Sequence, residues 1–178
     1  MKMLKKLLAV VLTGAMALTL LTACGSNAVT EKDIADAMND MAKAAEEDIT
    51  FTPRAKEREM AKAIAALSDE DLKELEESLK NSSLPEKAKE ILGINAGGAN
   101  ANNFVWCGAT YTDELGTSGQ ALNFMTQVMD KSANADKLRG KNPADDRYMG
   151  TALYKMVDEN GKQVTKRIIV VTAEAVDE

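Results

Sequence analysis

No histidine occurs among the 178 residues, and this gap excludes more chemistry than any other feature of the chain. Without an imidazole there is no Ser-His-Asp or Cys-His relay and no His-containing zinc or iron site. An enzyme built from this chain has to work through carboxylates, lysine or serine. Cysteine is nearly as scarce, with only Cys24 and Cys107, so a disulfide framework is not expected to hold the fold. Aromatic residues make up 4% of the chain and include a single tryptophan, Trp106. Basic residues are outnumbered, with 22 lysines and arginines against 28 acids. That balance argues against nucleic acid as a partner.

The one long apolar stretch lies at the start. Lys2, Lys5 and Lys6 precede the run Leu7 to Leu21, which closes at Leu21-Thr22-Ala23-Cys24. A charged n-region, an apolar segment shorter than the roughly 20 residues of a membrane span, and small residues before a cysteine together resemble a bacterial type II signal peptide. The resemblance implies removal of residues 1–23, lipid attachment at Cys24 and a short spacer over 24–29. It places the protein at the outer face of the cytoplasmic membrane, or in the periplasm or at the outer membrane if the organism has one. Two acyl chains, at about 0.8 kcal/mol per buried methylene, suffice for anchoring without a polybasic patch. Losing three lysines with the leader leaves 19 basic and 28 acidic side chains, a net charge of −9 on the remaining 155 residues. That length fits one domain, expected over 30–178.

Thr30-Glu31-Lys32-Asp33 reads as a capping box, and Ile34, Met38, Met41, Ala42 and Ala45 recur at helical spacing to about Glu47. Asp48 to Pro53 breaks the period and reads as an extended connector into a second helix, from about Arg54 to Leu67. Ser68-Asp69-Glu70-Asp71 caps a third, with Leu72, Leu75 and Leu79 inward, and Pro85 opens a short fourth that stops at Gly93. The acids from Asp69 to Glu77 lack the ligand spacing and turn glycine of a calcium loop, so they read as a solvated face. The Asn- and Gly-rich 94–103 segment is expected to be a flexible loop between a helical half, 30–93, and a mixed half, 104–178. It has neither the strand nor the lysine of a phosphate loop.

Phe104 to Tyr111 predicts a strand, Ser118 to Lys131 a helix, and Tyr148 to Val157 and Lys166 to Ala173 a hairpin turned by Asp158-Glu159-Asn160-Gly161. Ile168 to Val171 is apolar on both faces and should lie centrally. Val176 to Glu178 is expected to fray. Cys107, in an apolar run, reads as a small buried hydrophobe. The predicted class is α+β, with helices packed on a small antiparallel sheet.

From Cys107 to Ala173 the order of elements resembles the later part of a CAP domain, the family of cysteine-rich secretory, antigen 5 and pathogenesis-related proteins. Ala121 to Met129 stands for the family helix, and Lys131-Ser132-Ala133-Asn134-Ala135 for its Ser-Pro-Gly-His turn. Tyr148 to Tyr154 stands for its glycine-rich strand and Arg167 to Ala173 for the closing one. The resemblance implies an α/β/α sandwich. It departs from the family where the cation cavity should be: Ala135 falls at the turn histidine, and Val105 to Ala109 offers no glutamate. No cofactor and no metal are therefore expected.

Two functions remain open. One is a non-catalytic binding or interaction domain for an envelope protein, peptide or glycan. The other is an envelope hydrolase using paired carboxylates from Asp113, Glu114, Asp145 and Asp146, all in expected loops. Those four acids, with Trp106, are the candidate binding residues. For Trp106 two readings stand, core anchor or exposed aromatic platform.

Overall fold

The computed structural model describes residues 29–80, 83–112, 115–129, 132–158 and 160–177, apart from the side chains of 80 and 127. The segment expected to be a signal peptide, Cys24, Asp113 and Glu114 lie outside these residues. The class is α+β. In chain order the elements are α1 (Glu31–Ala44), β1 (Thr50–Pro53), α2 (Ala55–Ala65), α3 (Asp69–Lys80), α4 (Glu86–Leu92), β2 (Asn103–Tyr111), α5 (Thr117–Gln127), β3 (Lys141–Val157) and β4 (Gln163–Asp177). Four strands form one sheet in the order β1-β3-β4-β2.

That sheet is mixed. β3–β4 and β4–β2 are antiparallel as expected, but Thr50 to Pro53, expected as a connector, is a short edge strand parallel to Asp146–Met149 of β3. Phe51 supplies the reason, since its ring is buried under α1 and extended backbone alone can point it there. Asn39 of α1 closes the outer side of β1: its amide oxygen accepts from the Phe51 N–H at 2.6 Å, and its amide nitrogen donates to the Phe51 carbonyl at 3.1 Å. On the opposite margin, Asn134 accepts from the Val105 N–H and donates to the Asn103 carbonyl, while the Ala133 N–H donates to the Val105 carbonyl.

Each face of the sheet carries its own core. Ile34, Met38 and Ala42 of α1 and Ala121, Phe124 and Met125 of α5 cover Phe51, Trp106, Met149, Ile169 and Val171. Met60 and Ile64 of α2, Leu72 and Leu75 of α3, and Ala88 and Leu92 of α4 cover Val105, Cys107, Tyr154, Ile168 and Val170. Helices thus sandwich the sheet, and β4, central and apolar on both faces through Ile168–Val171, carries side chains into both cores. Gly150 lets α2 approach: a Cβ there would stand 2.0 Å from the Arg58 backbone nitrogen.

Three local expectations give way. β3 starts at Lys141, seven residues early, and β4 runs on to Asp177, so Val176 and Asp177 pair with Asn142 and Lys141 where fraying was expected. Most of these residues are polar or partly exposed, so no apolar alternation marked them. The register between Pro143 and Arg147 is broken by a bulge, at a proline that cannot donate to the ladder. The loop expected to be flexible is tied down. Asn100 is buried, donates to the Leu92 carbonyl at 2.7 Å, and accepts from Lys56 and Asn103.

Candidate functional site

Polar side chains enter both cores near the ends of the strands, and most are fully partnered. On the α1/α5 face, Arg167 donates to Gln120 at 2.9 Å, to Thr151 at 3.0 Å and to the Val29 carbonyl at 2.7 Å. On the other face, Glu57 is fully buried and accepts from Arg54 and from the Thr172 hydroxyl. Burial pushes its carboxyl up, but these two donors more than offset that and hold it below the ordinary glutamate value. Lys166 donates to Glu76 at 2.6 Å, and the Tyr154 hydroxyl shares the same carboxylate oxygen. Burial, then that carboxylate, push the phenol of Tyr154 up.

Arg147 breaks the pattern. It is 5% exposed, and among the described residues no hydrogen bond or ion pair meets its guanidinium. Strand register explains how it came inside. Arg147 sits opposite Phe51 on β1 and Ala173 on β4, and Ala173 in turn sits opposite Phe104 on β2. Directly opposed residues share a face, so the arginine lies in a row between two aromatic rings, beside the small Ala173. Its guanidinium carbon is 5.0 Å from the Trp106 ring centroid and 5.9 Å from that of Phe51. Burial pulls the group down to about 10, opposed by the charges of Asp145 and Glu47.

Trp106 completes the arrangement. It is 3% exposed and stacks beside Phe104 with centroids 6.0 Å apart, so it is core and not an exposed platform. Its indole N–H is buried without an acceptor, as is Nε of Arg147. The Thr110 and Ser132 hydroxyls are also buried without a partner but can accept as well as donate; unpartnered buried donors are few in native proteins, and here two lie in one aromatic box. The backbone around it is irregular. Glu46, just past α1, adopts φ +57°, the left-handed region, and the β3 bulge immediately precedes Arg147. Strained residues and bulges gather at functional sites.

Of the carboxylates singled out from the sequence, Asp113 and Glu114 lie outside the described residues, and neither Asp145 nor Asp146 bonds Arg147, although the charge of Asp145 acts on it. Asp145 and Asp146 are exposed neighbours in the bulge, and Asp146 accepts from the Thr50 hydroxyl at 2.9 Å. Cys107 faces the other core, where burial pushes its thiol up to about 12, far from the reactive range. Among the described residues no group of three or more acids or cysteines gathers as a metal ion would require. Arg147 was not among the sequence candidates because Asp145-Asp146-Arg147 resembles a loop. The available signal was alternation: two residues before buried Met149, Arg147 had to share its face.

Compared with known proteins, the chain matches no family model, no curated protein and no solved structure.

Proposed function

We propose that the chain is a lipoprotein anchored to the cell envelope through Cys24, whose α+β domain is a CAP-like, non-catalytic binding module. The observation that carries the binding reading is the unpartnered Arg147 beside Trp106. It is a cationic group that the charges of Asp145 and Glu47 reach but that, among the described residues, no side chain bonds. The sandwich of helices on both faces of a small sheet supports the family resemblance. So does the close approach at Gly150, in the segment that stands for the family's glycine-rich strand. The family's cation chemistry does not carry over, because the chain has no histidine and Ala135 stands at the turn position. An envelope protein, peptide or glycan is the partner class.

The test is to incubate the purified protein, and its Asp145→Asn and Asp146→Asn variants, with cell-wall glycan and peptide fragments. Both binding and product release are followed. Retention of fragments without cleavage, unchanged in the variants, is the expected result. Cleavage that disappears in either variant overturns the reading in favour of the carboxylate hydrolase.

A further inference from the structure

We propose that the box formed by Arg147, Trp106 and Phe51 is a binding site for a single carboxylate carried on an apolar group; this inference rests on the binding reading above. Four observations lead to it. Of the four buried polar atoms without a partner, the Thr110 and Ser132 hydroxyls can donate or accept, whereas the two in the box, Nε of Arg147 and Nε1 of Trp106, can only donate, so what completes these two is an acceptor. A guanidinium fork matches a planar carboxylate in two parallel hydrogen bonds, a geometry that a lone ammonium or a hydroxyl cannot reproduce. The walls are aromatic and aliphatic, with Phe51, Phe104, Trp106 and Ala173 around the cation, so the group bearing the carboxylate is apolar next to its charge. The fourth observation is charge. The box offers one buried cation, and the charges of Asp145 and Glu47, which already act on it, stand against a phosphate dianion or a polyanion.

Two departures from regular backbone lie near the box: left-handed Glu46 adjoins Glu47, whose charge acts on the arginine, and the bulge between Pro143 and Arg147 interrupts β3. A carboxylate of this kind has two sources, a small organic acid or the C-terminus of a peptide. Arg167 shows what the site lacks: the same residue type on the same face has a side-chain or carbonyl oxygen for each of its three nitrogens.

Trp106 is the only tryptophan, so its emission and its single indole N–H resonance report the site directly. Full-length protein in detergent is titrated with propionate, with an acetylated alanine dipeptide bearing a free C-terminus, with the same dipeptide amidated, and with phosphate, all at constant ionic strength. The expected result is a saturable change in emission and in the indole resonance with a free carboxylate, and none with amide or phosphate. Response to propionate alone assigns the source as a small acid, and tighter response to the free peptide assigns it as a peptide terminus. Arg147→Met should weaken the response about tenfold or more while the protein still melts cooperatively. If that variant does not fold, Arg147→Lys, which keeps the charge and loses the fork, should weaken it measurably. Equal responses to free and amidated peptide, a response unchanged in the arginine variants, or no response to any carboxylate each overturn the site. Cleavage of a bound peptide would instead remove the non-catalytic reading and leave the carboxylate site standing.

Discussion

A guanidinium carried from water into a box of aromatic rings loses hydration that cation–π contact replaces only in part. For Arg147 that deficit shows as a group pulled down to about 10, below the ordinary arginine value. The sign is that of a cation destabilised by folding, so the cost is fully present at neutral pH and is relieved only in strong alkali, as pH rises above about 10. Arg147→Met, which fills the box without the charge, should therefore raise unfolding free energy at pH 7 by about 1 to 3 kcal/mol in a denaturant titration. A loss of stability would mean that the arginine is held by contacts better than those described. Trp106→Ala should act in the opposite direction, costing about 3 to 5 kcal/mol for a buried ring. A change within about 0.5 kcal/mol would contradict its place in the core.

At the scale of elements, what could be read from the chain was what is local. The Thr30 capping box forms as its four residues dictate, with Asp33 accepting from the Thr30 N–H and the Thr30 hydroxyl accepting from the Asp33 N–H. Ser68 and Asp71 bond each other in the same style at the start of α3. Ile168 to Val171 announced a central strand because four apolar residues in a row have no solvent face to spare. β1 could not be read, since it is four residues long, has one buried side chain, and pairs with Asp146–Met149 nearly a hundred residues away. The candidate site was half legible for the same reason. Trp106 stood out by its chemistry, whereas Arg147 became informative only when three strands came into register around it. The amide of Asn39 is what fixes β1 to α1. Asn39→Ala should leave the Phe51 N–H and carbonyl without their partner and cost about 2 to 3 kcal/mol by denaturant unfolding. Asn39→Asp, which still accepts but cannot donate, should fall between the two.

For the whole molecule, the two ends of the chain are interleaved. β1, from the first half, lies against β3 from the second, and α1 shares a core with α5, so the cores assemble only from the full domain. The proposed anchoring is open to the plainest check. Cys24→Ala should move the protein from the detergent to the aqueous phase on partitioning, and an unchanged partition would refute lipidation at that residue. The closed margins of the sheet carry a consequence for a protein tethered as proposed. Molecules confined to a plane meet often, and exposed strand edges would let neighbouring copies zip together into aggregates. Here the amides of Asn39 and Asn134 occupy the places at Phe51 and at Asn103–Val105 where an incoming strand would dock, so growth by strand addition is blocked there on both flanks. Deamidation of either asparagine would replace a donor with a second acceptor, leaving the Phe51 or Asn103 carbonyl without its partner while the N–H beside it keeps one, so slow chemical ageing at two side chains would loosen a guard on the sheet.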